Sequence, residues 1–236
     1  MNNNKVSFLG LGVMGYPMAG HLSKAGYNVT VYNRTESKSD SWLKEYKGSK
    51  SITPREAVKD SKIVFACVGN DNDIKEICTG NNGAFLGMNE GAIFVDNTTA
   101  SANIARELYK NAKDHSVSFL DAPVSGGEAG AVNGALTVMV GGDINVFDIA
   151  KPYMEAYSQA VTLMGNSGAG QLTKMVNQIC IAGLLQGLSE AIKFGMLSGL
   201  DIKKVVEVIS KGAAGSWQMQ NRAETMSKGE FDFGFE

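Results

Sequence analysis

In the stretch GQLTKMVNQ, residues 170–178, Lys174, Asn177 and Gln178 stand at i, i+3 and i+4, so a helix would bring their polar ends to one face among apolar neighbours. A lysine is ordinarily a solvated surface cation. Desolvation on an apolar helix lowers the pKa of its ammonium toward the range in which it exchanges protons at neutral pH. Asn177 or Gln178 would then orient the amine or a bound substrate. The group is suited to giving a proton to, or taking one from, a substrate oxygen.

Three other segments have the composition of ligand-binding turns. DAPVSGG, residues 121–127, ends a strand at Pro123 and then exposes the Ser125 hydroxyl and the amides of Gly126 and Gly127 without bulky side chains. A small carboxylate fits that arrangement; a plain flexible loop is the other reading. CVGNDND, which contains Val68 and Gly69, would pass beside a cofactor or simply cap the next helix. DNTTAS offers the hydroxyls of Thr98 and Thr99, with Ser101 placed to cap the helix that follows. In AAGSWQMQ, Trp217 would wall a pocket or pack between helices.

GLGVMG, residues 10–15, places Gly10, Gly12 and Gly15 at the GxGxxG spacing, after the strand-like KVSFL and before the helix-like MAGHLSKAG. Gly10 permits the tight turn, Gly12 leaves room for a pyrophosphate at the amides around Val13 and Met14, and Gly15 lets helix and strand pack closely. Helix-terminal amides and the helix dipole then hold the phosphate charge. At the end of the second strand, VYNRT shows Asn33, Arg34 and Thr35 where an NAD site would carry an acidic side chain. Without that carboxylate nothing repels a 2′-phosphate; Arg34 adds a planar cation, and Thr35 and Lys38 add donors. The site favours NADP and leaves NAD possible.

These residues need a scaffold. Short apolar runs (VSFLG, VTVY, IVFACV, AIFVD, VSFL, LTVMV, AVTLM) alternate with amphipathic stretches up to Gly165, which predicts an α/β fold with a doubly wound parallel sheet and helices on both faces. From residue 166 the spacing turns helical. Leu172, Met175, Val176, Ile179, Leu184, Leu188 and Ile192 would line a long, largely buried bridging helix, followed by helices over 201–211, capped by Asp201, and 216–228. The expected organisation is a dinucleotide-binding Rossmann domain over 1–165 and part of an all-α domain over 166–236. So few helices are a thin basis for a domain, which points to a truncated chain or to completion by a partner subunit.

Composition narrows the function classes. With 44% hydrophobic and 19% charged residues the chain is an ordinary globular one, not a disordered or membrane-spanning one. A net charge of −2 argues against gripping nucleic acid. Cys67, Cys78 and Cys180 form no disulfide framework or zinc motif and read as reduced thiols, and no targeting segment opens the chain, so the expected location is the cytoplasm. With His21 and His115 as the only histidines, no catalytic metal is expected.

GLGVMG, DAPVSGG and GAGQLTKMVNQ, in that order, resemble the β-hydroxyacid dehydrogenase family, which includes 3-hydroxyisobutyrate dehydrogenases, tartronate semialdehyde reductases and NADPH-dependent glyoxylate/succinic semialdehyde reductases. The resemblance runs the whole chain. It implies a Rossmann domain followed by a helical domain with the active site between them, and a homo-oligomer acting on a small carboxylate. It implies Lys174 as the acid/base, Ser125, Gly126 and Gly127 on the substrate carboxylate, Asn177 in support and Thr99 at the cofactor. Phe235, in FGF, matches the family's PGF-like segment near the cofactor. The family's later Lys-Asp segment and further helices do not follow, which implies a truncated form. Two rival readings are an enzyme of the 6-phosphogluconate dehydrogenase type, whose lysine helix reads KMVHN where this chain has Asn177, and a non-catalytic NADP-binding sensor.

Overall fold

A computed structural model describes residues 4–231; Phe235 lies outside them. The chain folds as two compact units, Met1–Lys174 and Met175–Glu236.

The first unit is built on a nine-stranded sheet. Its main strands are β1 (Lys5–Leu9), β2 (Asn28–Tyr32), β4 (Ile63–Ala66), β5 (Ile93–Asp96), β6 (Ser118–Asp121), β8 (Leu136–Gly141) and β9 (Ser158–Gly165), one for each apolar run in the sequence. β3 (Ser49–Lys50) and β7 (Val124–Ser125) are too short to leave an apolar run. The order β3-β2-β1-β4-β5-β6-β8-β7, with β9 on β8, reverses between β1 and β4. Such a reversal opens a crevice at the carboxyl ends of β1 and β4, where ligands of open α/β sheets bind.

The sheet is mixed, not wholly parallel: β8 runs antiparallel to β6 and β7. Residues 126–135 are all that join β7 to β8, and a parallel crossover needs about a dozen residues or more.

Side chains alternate across the strands and feed two cores, one on each face. Val6, Phe8, Phe65, Val95 and Leu120 share one with Met18 and Leu22 of α1 (Gly15–Lys24) and Phe147 of α7 (Ile144–Met154). Leu9, Val64, Phe94 and Phe119 share the other with Ile74 of α4 (Asp71–Thr79) and Ile104 and Leu108 of α5 (Ala102–Asp114). Ser101 caps α5 as its sequence predicts, accepting from Ile104 N at 3.1 Å.

α8 (Ala169–Leu197) is continuous across the division between the units. The second unit adds α9 (Ile202–Ile209), capped by Asp201, and α10 (Trp217–Lys228), capped by Ser216. Its small core joins Leu188 and Ile192 to Met219 and Ala223. The expectation of a largely buried α8 fails: Val176 is 61% exposed and Ile179 72%. Apolar residues run all round this helix, and two short helices cover only one side of it. By length and composition α8 would span a bilayer, a test that the core helix of a helical domain also passes.

Candidate active site

The glycine turn joins β1 to α1 as its spacing predicts, and the three glycines differ in what constrains them. Gly10 has φ +97°, and a Cβ there would collide with the Cys67 carbonyl. A Cβ on Gly15 would collide with the Gly10 carbonyl. At Gly12 a Cβ would meet no atom within 4 Å. Packing within the protein therefore explains two of the glycines and leaves the middle one free to serve a ligand. α1 has no side-chain cap and no acidic residue in its first turn, so its positive end is not neutralised locally.

Asn33 works differently from the expectation. Its Oδ1 accepts from Leu11 N at 2.8 Å and its Nδ2 donates to Thr35 O at 3.0 Å, so the side chain clamps the glycine turn to the end of β2. Arg34 remains outward: its side chain is 87% exposed and its ion pair to Asp73 is a loose 3.4 Å. Thr35 is the N-cap residue of α2 (Glu36–Glu45), with no hydrogen bond from its hydroxyl to the helix. A groove of about 580 Å³ connects Gly12 and Val13 to Ser37, Lys38 and Ser41 of α2. The two serines and the groove itself carry no motif by which the sequence would show them.

The turn after β4 is tied down from both sides. Val68 N donates to Thr98 Oγ1 at 3.1 Å, while Asn70 caps α4 by accepting from Asn72 N and Asp73 N. Gly69 follows Val68 in the same partly exposed turn. Thr98 is buried and Thr99 is exposed, so the two hydroxyls of DNTTAS divide between a structural task and a surface one.

DAPVSGG is more ordered than a plain loop. Val124 and Ser125 pair with Val138 and Thr137 of β8, and Gly126 and Gly127 then turn the chain at φ +137° and +63°. Ser125 is half-buried and both glycines are exposed.

Sequence reasoning missed the residues that hold the start of α8. Asp121 is buried and accepts from Gly168 N at 2.7 Å and from Gln171 N at 3.0 Å. Gln171, also buried, donates from Nε2 to Thr98 O at 2.7 Å and accepts at Oε1 from Ala100 N at 3.0 Å. Burial pushes the Asp121 carboxyl up to about 6, against the pull of the amides it accepts from. Beside it, burial pushes Asp96 up to about 7; one of its oxygens accepts from Thr98 N at 2.9 Å and the other is buried with no partner among the described residues. The available signal was an aspartate closing two neighbouring apolar runs, Asp96 after AIFV and Asp121 after VSFL.

Lys174, one turn beyond Gln171, is 8% exposed and makes no hydrogen bond or ion pair among the described residues. Burial lowers its pKa from the ordinary lysine value of 10.5. In the second unit Asn177 is half-buried and donates to Gln178 Oε1 at 3.0 Å, and Gln178 is exposed. Trp217 is 61% exposed, with the Arg222 guanidinium 5.7 Å from its ring centre. It does not pack as a helix-core tryptophan. Among the described residues no three His, Cys, Asp or Glu side chains gather as metal ligands.

The chain resembles known proteins over nearly its whole length. Residues 5–165 match the family model described as the NAD binding domain of 6-phosphogluconate dehydrogenase, and residues 168–236 match the one described as NAD-binding of NADP-dependent 3-hydroxyisobutyrate dehydrogenase. An uncharacterized oxidoreductase of Shewanella frigidimarina is 59% identical over 98% of this chain and 79% of its own length. The 2-hydroxy-3-oxopropionate reductase of Escherichia coli is 35% identical over 98% of this chain and 78% of its own. Among solved structures, the 3-hydroxyisobutyrate dehydrogenase of Mycobacterium tuberculosis with L-serine superposes with a TM-score of 0.88 at 27% identity, covering 98% of this chain and 80% of that one.

Proposed function

This chain belongs to the β-hydroxyacid dehydrogenase family, and from that membership we propose that it passes a hydride between NADP(H) and the carbonyl carbon of a small aldehyde acid or keto acid, with Lys174 as acid and base. The coarser statement needs no proposal: it is a nicotinamide-dependent oxidoreductase with a small-molecule substrate.

The observation that carries the finer reading is the burial of Lys174 without a carboxylate partner among the described residues. An ammonium locked to a carboxylate would hold its proton; this one is primed to release it. A bound nicotinamide would supply or accept the hydride. In reduction Lys174 Nζ gives its proton to the carbonyl oxygen as the C–O π bond breaks, so charge on the forming alkoxide is quenched without a metal. In oxidation the neutral amine takes the hydroxyl proton. In this proposal Ser125 and the amides of Gly126 and Gly127 hold the substrate carboxylate, and Asn177, Gln178 and Trp217 are assigned to the substrate as the notable polar and aromatic residues of the helical unit. Gly10, Gly12, Val13, Met14 and Gly15 hold the pyrophosphate. Val68, Gly69 and Thr99 would hold the rest of the cofactor, and Phe235 belongs to the same assignment.

NADP preference is supported by the exposed Arg34 and by Lys38 in the groove beside Gly12. The acid is of the 3-hydroxyisobutyrate, succinic semialdehyde or glyoxylate type; a reductase of 2-hydroxy-3-oxopropionate among its relatives favours a short chain with one carboxylate. The exposed apolar side chains Ile179, Phe194 and Leu197 support assembly as a dimer or tetramer, and the three free thiols support a reducing cytoplasm.

The test is Lys174→Ala with NADPH and a panel of succinic semialdehyde, glyoxylate, tartronate semialdehyde and, for oxidation, 3-hydroxyisobutyrate. The variant should bind NADPH like the wild type and lose turnover by about 100-fold or more. Unchanged turnover would refute the role of Lys174, and absence of turnover in the wild type with every substrate would favour the sensor reading.

A further inference from the structure

We propose that Gln171 and Asp121 form a lock that positions Lys174: Gln171 fastens the turn preceding the lysine to the Thr98–Ala100 segment, and Asp121 fastens the same turn to the end of β6. The inference rests on the reading of Lys174 as acid and base given above.

The lock is defined by four hydrogen bonds, all inside the first unit. Gln171 presents its amide edge-on to the backbone, Nε2 to Thr98 O at 2.7 Å and Oε1 to Ala100 N at 3.0 Å. Only an amide, or a protonated carboxyl, offers donor and acceptor in that spacing. Asp121 takes the two backbone N–H groups of Gly168 and Gln171, which stand at the amide-rich start of α8 where a negative charge is favoured. Glycines reinforce the approach. A Cβ on Gly170 would collide with Met139 O, and one on Gly141 would come within 2.8 Å of Gly170 N. The helix start is thus seated directly on the carboxyl ends of β6 and β8.

Gln171 and Lys174 are three residues apart on one helix, and Asp121 and Ser125 four apart on one segment. Thr99 lies between the two backbone groups that Gln171 holds. One pair of side chains therefore fixes the mutual placement of the amine, the carboxylate-binding turn and the turn assigned to the cofactor. A displacement of about 1 Å in such an arrangement costs about 100-fold in rate. Neither Asp121 nor Gln171 takes part in the chemistry; both act through Lys174.

The experiment uses the full chain with Gln171→Met and Gln171→Glu. Gln171→Met, of similar volume, removes both bonds and should lower kcat by about 100-fold, a much larger effect than any change it makes in KM for NADPH. Competitive labelling of lysines by acetic anhydride across pH, read by mass spectrometry, should show the Lys174 midpoint moved toward 10.5, because the loosened turn lets its amine reach water. Gln171→Glu opposes a carboxylate to Thr98 O when ionised and restores both bonds when protonated. Its kcat relative to wild type should climb as pH falls from about 8 to 6. A Gln171→Met enzyme with wild-type kcat and an unmoved midpoint overturns the lock, as does a Gln171→Glu ratio that is flat in pH. Wild-type protein inert toward every substrate would instead overturn the proposed function, and the labelling midpoint would still decide whether Gln171 places the amine.

Discussion

Asp96 and Asp121 are register partners at the ends of the neighbouring parallel strands β5 and β6, so two buried carboxyl groups stand side by side. Burial raises both, to about 7 and about 6, and the charge of Asp121 further opposes ionisation of Asp96. The unfolded chain releases these protons near pH 4. Between that pH and 7 the folded state holds more protons than the unfolded state, so stability is full below the unfolded value and falls as pH rises through the folded one. Asp96→Asn keeps an acceptor for Thr98 N and carries no charge. Urea unfolding at pH 5 and pH 8 should show a much smaller difference between the two pH values in the variant than in wild type. Equal differences would mean that Asp96 titrates normally.

The glycine turn separates structural from ligand-imposed constraint. Gly10→Ala and Gly15→Ala drive a methyl into the Cys67 and Gly10 carbonyls, and both should cost several kcal/mol, at least the ~1–3 kcal/mol of a forced overpacking. Gly12→Ala meets no protein atom. It should melt within about 2 °C of wild type and bind NADPH at least about tenfold more weakly, the equivalent of 1.4 kcal/mol. Thermal melts paired with NADPH fluorescence titration check this; undiminished affinity in Gly12→Ala would remove the pyrophosphate from this turn.

Coenzyme choice is tested at Arg34, whose exposure makes its loss nearly neutral for stability. Arg34→Ala should lower the ratio of kcat/KM for NADPH over NADH by at least about tenfold, as expected for a lost charge-assisted phosphate contact. Asn33→Asp is a poorer probe, because a carboxylate oxygen would replace the Nδ2 donor that faces Thr35 O. A ratio unchanged in Arg34→Ala would show that the phosphate is held elsewhere.

What the sequence reveals here depends on the range of the interaction. The seven longer strands of the first unit and the caps Ser101 and Asp201 follow from local pattern, because alternation and capping act within a few residues. The reversal of β8 depended on loop length weighed against crossover geometry, which periodicity does not carry. Lys174 was visible because a cation in an apolar helix is locally odd. Gln171 was not, since its partners Thr98 and Ala100 are more than seventy residues away in the chain and a glutamine at a helix start is unremarkable. Asn33 shows the same limit in another form: the missing acid was legible, whereas the clamp on Leu11 N was not.

As the proposed acid and base, Lys174 would make the two directions of the reaction depend on pH with opposite signs. Reduction of the carbonyl needs the ammonium and oxidation of the alcohol needs the neutral amine. Burial holds the pKa below 10.5, so the amine form becomes available at a lower pH than for a surface lysine. The kcat/KM for reduction should be level at low pH and fall as pH rises through the Lys174 value, while that for oxidation should rise through the same value and then level off. Lys174→Arg keeps a cation that does not titrate below about 12; whatever reduction it retains should lose the alkaline fall, and its oxidation should be nearly abolished. Initial rates in both directions across pH, with wild type and variant, measure this. Reduction and oxidation limbs that turn at different pH values, or an alkaline fall that persists in Lys174→Arg, would assign the proton to another group.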